Sequence, residues 1–134
     1  MSRMMKEVSQ TEFEVLDVLW QQYPASANDI IERLNQQKEW HEKTVKTLLN
    51  RLVKKHAISF EKQQRRYLYT PLIARDEYVE SQSQSLVERL FKGKLSPLVA
   101  GFAKNKDLDK DDIAELKNII ASWEQENEAE NKGN

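Results

Sequence analysis

The sequence predicts a mainly α-helical protein: a winged helix-turn-helix domain with a small β-hairpin wing, followed by a C-terminal helical segment. Two observations carry this prediction. Three stretches in the first half have apolar residues at helical spacing, and two short stretches typical of strands follow them at residues 58–62 and 66–70. Three helices and then a hairpin are the order of a helix-turn-helix with a wing. We expect a winged-helix domain over residues 1–72, a helical segment over 73–123 and a flexible acidic tail over 124–134.

Two capping motifs predict where the first two helices begin. Ser9 and Glu12 have the spacing of a capping box, in which a hydroxyl and a carboxylate each satisfy a backbone N–H at the helix start. Ser26 and Asp29 belong to a second cap of the same kind. Apolar residues then follow at helical intervals, namely Phe13, Leu16, Leu19 and Trp20 in the first helix and Ile30, Ile31 and Leu34 in the second.

The third predicted helix has the clearest amphipathic pattern. Its apolar residues form a single stripe and should face the core. They are Val45, Leu48, Leu49, Leu52 and Val53. The opposite face carries polar and cationic side chains, namely Lys43, Thr44, Lys46, Thr47, Asn50, Arg51, Lys54 and Lys55.

The hairpin is predicted from alternation and from a polar turn. Ile58 and Phe60 alternate with polar residues, as expected of a half-buried strand, and residues 63–65 should form the turn. Pro71 should end the second strand. Tyr67 and Tyr69 in that strand are interpreted as partial core under the wing, and the Tyr67 hydroxyl is alternatively a donor to a phosphate.

Beyond residue 72 the pattern is helical again. We expect a long helix to about Phe91, a shorter one in which Ser96 is the cap and Pro97 the first helical residue, and a last one opened by Asp109. One chain gives these loosely connected helices little to pack against, so we expect them to form a homodimer. The alternative is that they fold back on their own domain. The predicted dimer contacts are Leu86, Leu90, Phe91, Leu98, Phe102, Ile113, Leu116, Ile120 and Trp123.

The composition argues against several kinds of site. The chain has no cysteine, so it has no disulfide, thiolate metal site or nucleophilic thiol. His41 and His56 are its two histidines, and no metal-ligand spacing accompanies them. It also lacks a glycine-rich phosphate loop, so we expect neither an enzyme nor a cofactor. No apolar stretch approaches the length of a membrane span, and we expect a soluble, cytoplasmic protein with no membrane partner.

Positive charge is concentrated in the third helix and the hairpin. Between residues 43 and 66 there are eight lysines and arginines and one acidic side chain, whereas the whole chain has a net charge of -1. Residues 1–72 have a net charge of +3 and residues 73–134 a net charge of -4. A cationic helix beside a cationic hairpin can follow a phosphate backbone while side chains reach into a groove. This pattern predicts a DNA-binding protein.

The candidate DNA contacts lie on the third helix and around the hairpin turn. Short polar side chains among the cations can bind base edges or phosphates, and arginine at a hairpin tip suits a minor groove or a phosphate. Two other interpretations stay open: a helix face that is only solvated, and a winged-helix protein–protein interaction module that binds no DNA. The predicted DNA contacts are Lys43, Thr44, Lys46, Thr47, Asn50, Arg51, Lys54, Arg65, Arg66 and Tyr67.

Several motifs carry a family resemblance over nearly the whole chain. They are Ser9-x-x-Glu12-x-x-Val15-Leu16-x-x-Leu19-Trp20, Ala27-Asn28-Asp29-Ile30-Ile31, Trp40-His41-x-x-Thr44-Val45-Lys46-Thr47-Leu48-Leu49-x-Arg51-Leu52-x-x-Lys55, Tyr67-Leu68-Tyr69-Thr70-Pro71, Ser96-Pro97-Leu98-Val99-Ala100 and Ile113-Ala114-Glu115-Leu116. The string in the third helix is the most specific of them. Together they resemble the family of penicillinase, methicillin-resistance and copper-transport repressors.

The resemblance implies a homodimeric repressor on palindromic operators, with its third helix in the major groove and its dimer contacts in the C-terminal helices. In the β-lactam branch a membrane sensor-protease cuts an Asn-Phe bond of the repressor, and the matching residues here are Gly101 and Phe102. The copper branch has a C-terminal cysteine cluster that this chain lacks. His56 stands where glycine is common, and Gln63 and Gln64 replace the usual wing tip, so we expect a somewhat different wing geometry.

Overall fold

The computed structural model describes residues 7–132 and forms two compact units that divide between residues 83 and 84, called unit 1 and unit 2 below. The mainly helical, winged helix-turn-helix prediction is confirmed. No helix in the described part of the chain is long and apolar enough to cross a membrane. The elements are α1 (Gln10–Gln21), β1 (Ala25–Ser26), α2 (Ala27–Asn35), α3 (Glu42–Lys54), β2 (Ile58–Gln63), β3 (Arg66–Pro71), α4 (Arg75–Phe91), α5 (Ser96–Lys104) and α6 (Lys110–Lys132).

Both predicted capping boxes are present. At the start of α1 the Glu12 amide donates to Ser9 Oγ over 3.2 Å, and the Ser9 amide donates to Glu12 Oε1 over 2.7 Å. At the start of α2 the Asp29 amide donates to Ser26 Oγ over 3.2 Å, and the Ser26 amide donates to Asp29 Oδ2 over 3.1 Å. The two serines therefore fix where these helices begin.

The sheet has three antiparallel strands in the order β1-β3-β2. β2 and β3 form the predicted hairpin, and the pair Gln63 and Arg66 closes its two-residue turn. β1 pairs with β3 through Ala25 opposite Tyr69. The sequence did not predict β1, because a two-residue strand is too short for any alternation. Its pairing places the start of α2 beside the wing.

The core of unit 1 lies between the first three helices and the sheet. It combines the apolar stripes predicted for the helices with Ile58 of β2 and Tyr69 of β3. Burying each large apolar side chain contributes about 1.5–3 kcal/mol, so these stripes determine which face each helix exposes. The buried apolar side chains of α1, α2 and α3 are Val15, Leu16, Leu19, Ile30, Leu34, Val45, Leu48, Leu49 and Leu52.

Three side chains expected in the core are not buried in it. Ile31 and Val53 are partly buried and pack against the core from outside. Phe60 is 49% exposed, although Ile58 in the same strand is 1% exposed. Burial falls along β2 from Ile58 toward the turn, because the wing extends past the end of the core.

α4 begins in unit 1 and not after it. Tyr78, in the first turn of α4, is 3% exposed and belongs to the core of unit 1. The structural boundary therefore falls eleven residues later than the predicted one at residue 72. A functional division at residue 72 stays a prediction.

The helices of unit 2 differ from the prediction at two of their ends. Leu95 is the N-cap of α5, and no side-chain hydrogen bond caps it, so Ser96 is the first helical residue and Pro97 the second. Asp109 does cap α6, since the Asp112 amide donates to Asp109 Oδ1 over 2.8 Å. α6 then continues to Lys132, through much of the segment expected to be a flexible tail. The glutamate, glutamine and alanine side chains there have high helix propensity.

Candidate nucleic-acid interface

The two faces of α3 have opposite environments. Its stripe of Val45, Leu48, Leu49 and Leu52 is buried in unit 1. The seven α3 side chains predicted to contact DNA are all exposed, namely Lys43, Thr44, Lys46, Thr47, Asn50, Arg51 and Lys54. Because four buried apolar residues hold the helix, the polar face is presented on a fixed support.

The wing presents the other three predicted contacts. Arg65, Arg66 and Tyr67 are exposed at the turn and at the start of β3. The Tyr67 ring meets the Phe60 ring edge-on, with centroids 4.9 Å apart. Tyr69 is buried, as expected for a tyrosine under the wing, but Tyr67 is 46% exposed. The interpretation of both tyrosines as core therefore holds for Tyr69 alone.

One flank of α3 shares a groove with the wing and with the start of α2. We call this groove the wing-side flank. It collects five of the predicted contacts, two from α3 and three from the hairpin. Its lining residues are Ser26, Ala27, Asn28, Asp29, Lys46, Asn50, Arg65, Arg66, Tyr67 and Tyr69.

The other flank of α3 is lined by residues of the helix and its N-cap alone. We call it the open flank, and it collects four further predicted contacts. Its lining residues are His41, Lys43, Thr44, Thr47, Leu48 and Arg51. Lys54, near the end of α3, lies on neither flank, so the structure does not bring it together with the others.

Two of the α3 side chains already have partners within the helix. Lys46 Nζ donates to Glu42 Oε1 over 2.9 Å, and both side chains are more than half exposed. The Thr47 hydroxyl donates to the Lys43 carbonyl over 3.0 Å, which leaves its oxygen free to accept another bond. An exposed ion pair of this kind contributes little to stability, so Lys46 can readily exchange Glu42 for another anion.

The start of α2 was missed as part of this surface. Its capping motif was visible in the sequence, but its position beside Arg66 depends on the pairing of β1 with β3. Hydrogen bonds from Ser26 hold the pKa of Asp29 below its ordinary value, with Arg33 and Arg66 acting in the same direction. Asp29 therefore stays ionised, and its charge is committed to the cap of α2.

Lys55 does not belong to the cationic face on which the sequence placed it. Its Nζ donates to Glu12 Oε1 over 2.6 Å, and the Glu12 side chain is 2% exposed. Burial raises the pKa of Glu12, but hydrogen bonds from Lys55 and Ser9 outweigh this effect and lower the pKa overall. Lys55 thus joins the end of α3 to the start of α1.

The predicted dimer contacts are not buried within the single chain. Leu86, Leu90, Phe102, Ile113, Ile120 and Trp123 are between 37% and 64% exposed, and Phe91, Leu98 and Leu116 are partly buried. No side chain described between residues 84 and 129 is buried. Gly101 and Phe102, the predicted cleavage position, are exposed within α5, and open space surrounds the Cβ position of Gly101.

A helix with a buried apolar stripe and an exposed cationic face, flanked by a cationic hairpin, defines a winged-helix protein. The family model described as penicillinase repressor matches residues 8–122, and the chain belongs to this family. This confirms the resemblance in the sequence motifs.

Named relatives are similar in sequence to most of the chain. The methicillin resistance regulatory protein MecI of Staphylococcus aureus (strain N315) is 37% identical over 114 residues, which cover 85% of this chain and 93% of the relative. The penicillinase repressor of Bacillus licheniformis is 35% identical over 114 residues, covering 85% and 89%. A solution structure of the DNA-binding domain of the repressor BlaI is 34% identical, with a TM-score of 0.51, and covers 57% of this chain and 94% of that one.

Proposed function

We propose that the chain is a homodimeric, sequence-specific DNA-binding transcriptional repressor that docks α3 in the major groove of a palindromic operator. The exposed cationic face of α3, held by its buried stripe, carries the proposal. The names of the relatives, repressors of penicillinase and a regulator of methicillin resistance, support the repressor class. The solution structure of a repressor DNA-binding domain supports the binding activity.

α3 has the side chains that reading a major groove requires. The groove of B-DNA, about 12 Å wide, admits one helix, and each base pair presents its own pattern of donors and acceptors there. Asn50 suits adenine and Arg51 suits guanine, because both pairs form two parallel hydrogen bonds. Thr44 and Thr47 can contact bases or thymine methyl groups, while Lys43, Lys46 and Lys54 neutralise phosphates.

The wing supplies contacts beside the major groove. Arg65 and Arg66 lie at its tip, where a guanidinium can enter a minor groove or bind a phosphate with two hydrogen bonds. Tyr67 is exposed, and its hydroxyl can donate to a phosphate. These contacts orient α3 in its groove.

The exposed apolar residues of unit 2 support the homodimer. A single chain leaves side chains such as Leu90 and Trp123 at 60% and 64% exposure. A second copy supplies an apolar partner surface, and a two-fold dimer matches a palindrome whose half-sites lie one turn, about 34 Å, apart.

The proposal includes a regulatory protease that cuts the chain. Its site is the Gly101–Phe102 bond, in the middle of α5 and exposed. A glycine inside a helix destabilises it by roughly 0.5–1 kcal/mol relative to alanine, which eases the local opening that a protease needs. The flanking residue Phe102 is half exposed and offers an apolar side chain to a protease pocket.

The DNA interface is tested by the double variant Lys46→Ala/Arg51→Ala, which removes one cation from each flank of α3. Both side chains are exposed, so the circular dichroism spectrum should stay that of the wild type. Affinity for a duplex selected from random sequence should fall by roughly 10- to 100-fold, as expected when one base and one phosphate lose their protein partners. Binding is measured by fluorescence anisotropy.

The matched control is Lys38→Ala/Lys110→Ala, which removes the same charge from exposed sites outside both flanks. It should bind as the wild type does. Salt titrations add a second criterion: the slope of log affinity against log salt should be shallower by about 1 for each phosphate that the variant no longer neutralises. Wild-type affinity and slope in the α3 variant would show that this helix does not bind DNA.

A further inference from the structure

Each of the first three helices has an acidic residue in its first turn, and one of the three differs in what it binds. Glu12 of α1 and Asp29 of α2 each accept the backbone N–H of their N-cap serine, so both carboxylates belong to capping boxes. Glu42 is the first residue of α3, and the N-cap His41 makes no side-chain capping bond. Among these three helices, Glu42 is therefore the acid that takes part in no capping box.

The Glu42 carboxylate is instead bound to Lys46. Glu42 Oε1 accepts a hydrogen bond from Lys46 Nζ over 2.9 Å. This bond and the charge of Lys46 hold the pKa of Glu42 below its ordinary value, so the carboxylate is ionised at neutral pH. Both side chains are more than half exposed, and a pair of this kind contributes little to stability. The carboxylate can therefore lose Lys46 to a phosphate while the fold stays intact.

Glu42 extends the polar face of α3 by one turn toward its N-terminus. Glu42, Lys46 and Asn50 follow one another at intervals of four residues, so they form one row on the exposed side of the helix. Lys46 and Asn50 line the wing-side flank. In helix-turn-helix proteins the N-terminal residues of the helix in the major groove contact base edges. When α3 docks as proposed, its row of side chains therefore begins with a carboxylate at the base edges.

A carboxylate in this position has few favourable partners on DNA. α3 has four cationic residues, and Glu42 is its one acidic residue. Phosphates repel a carboxylate, and so do the acceptor groups of guanine and of thymine in the major groove. The donors in that groove are the amino groups of adenine and cytosine. In adenine the acceptor N7 lies beside the amino group, whereas cytosine presents its N4 amino group alone. Cytosine is thus the base that suits Glu42.

We propose that Glu42 is a specificity-determining residue, whose carboxylate accepts a hydrogen bond from the amino group of one cytosine in each half-site after Lys46 has exchanged Glu42 for a phosphate. The inference rests on the proposed function, because a base preference has meaning only for a chain that binds DNA. Glu42 acts mainly by rejection: the carboxylate weakens binding wherever it meets acceptors and is stabilised where it meets a cytosine amino group.

The first experiment compares the duplexes that three chains select from random sequence. The wild type should select cytosine at one position of each half-site. Glu42→Gln should select adenine at that position, because glutamine binds adenine with two hydrogen bonds. Glu42→Ala should select no particular base there. The other positions should keep their wild-type preferences in both variants.

The second experiment tests the single amino group. N4-methylcytosine at the selected position still pairs with guanine, but a methyl group replaces the amino hydrogen that faces the major groove. Wild-type affinity, measured by fluorescence anisotropy, should fall by about tenfold, as for one disfavoured base pair. For Glu42→Ala the fall should be about twofold or less, because this variant has no carboxylate to lose its donor.

Two further variants serve as controls. Glu77→Gln removes the same charge from the first turn of α4, where the side chain is exposed and outside both flanks, and it should select the wild-type duplex. Lys46→Ala should keep the preference for cytosine. Its slope of log affinity against log salt should be shallower by about 1, because Lys46 contacts a phosphate. Since Glu42 is exposed, both Glu42 variants should keep the wild-type circular dichroism spectrum.

The outcomes separate this inference from the proposed function. A wild type that selects no duplex overturns the proposed function and this inference with it. A wild-type duplex that both Glu42 variants select unchanged overturns this inference alone, and so does equal wild-type affinity for cytosine and N4-methylcytosine. If Glu42 served only the helix and its ion pair, its variants would bind every duplex more weakly by the same factor and keep their base preferences.

Discussion

At the scale of single residues, His56 occupies a backbone position that suits glycine. Its φ is +61°, and it ends α3 in a Schellman motif, in which the His56 amide donates to the Val53 carbonyl and the Ala57 amide to the Leu52 carbonyl, both over 3.0 Å. A left-handed conformation destabilises a residue with a Cβ by roughly 1–2 kcal/mol. This position is the one where the family resemblance leads us to expect glycine.

His56→Gly should therefore stabilise the protein by about 1 kcal/mol. This figure is the strain relieved at residue 56 minus the effect of the larger conformational entropy of the unfolded glycine variant. The free energy of unfolding in urea measures it. Lys54→Gly, a helical position two residues earlier, is the matched control and should lose about 0.5–1 kcal/mol. An equal loss of unfolding free energy in both variants would show that the backbone at His56 is not strained.

The ionisation of Glu12 should make the stability of the fold depend on pH. Its pKa in the folded chain is below its ordinary value of 4.5. The ion pair of Glu12 with Lys55 therefore stabilises the fold fully at pH values above the pKa of Glu12 in the unfolded chain. This stabilisation is lost as the pH falls through the lower pKa of Glu12 in the folded chain. Glu12→Gln should unfold in urea with a shallower loss of stability between about pH 5 and pH 3 than the wild type.

Lys55→Met should weaken that dependence on pH. It leaves Glu12 buried without its cationic partner, which should lower stability at pH 7 by about 1–3 kcal/mol. Without Lys55 the pKa of Glu12 rises from its value in the wild type, so this variant should lose less stability than the wild type as pH falls. A stability that falls with pH as steeply as in the wild type would show that Lys55 does not hold the carboxylate.

At the scale of elements, local signals were sufficient where a side chain itself fixes an end. Ser9 and Ser26 predicted the starts of α1 and α2, because their hydrogen bonds lie within three residues. Ser96 gave a similar signal but is the first helical residue of α5. β1 exists only because β3 lies beside it, so no local pattern could predict it.

The same reasoning applies to the candidate site. Helical periodicity correctly placed the polar face of α3 opposite its buried stripe, because both follow from one helical repeat. Lys55 and Phe60 were placed wrongly, since their surroundings depend on distant parts of the chain. Lys55 meets Glu12, which is 43 residues away, and Phe60 lies past the end of the core.

At the scale of the whole molecule, the boundary between the units predicts how the chain can be divided. A fragment of residues 1–83 keeps Tyr78, whereas one of residues 1–72 loses it from the core. The longer fragment should be a folded monomer in sedimentation and bind DNA more weakly than the full chain. The shorter one should be less stable by about 3 kcal/mol, as for removal of a buried aromatic side chain.

The two fragments test different statements. A dimer of residues 1–83 would place the dimer contacts in unit 1 and contradict their assignment to the exposed apolar residues of unit 2. Equal unfolding free energies for the two fragments would contradict the inclusion of α4 in the core of unit 1. Urea titration and sedimentation velocity distinguish these outcomes.

The different neighbours of the two α3 flanks affect how target preference can evolve. On the wing-side flank Lys46 and Asn50 share space with Arg66 and the start of α2, so one substitution disturbs several partners. The open flank is lined by α3 and its N-cap alone, and Thr44 and Thr47 there can be exchanged singly. Under the proposed function, new operator preferences can accumulate on that side in small steps, while the opposite side keeps the orientation of the helix on DNA.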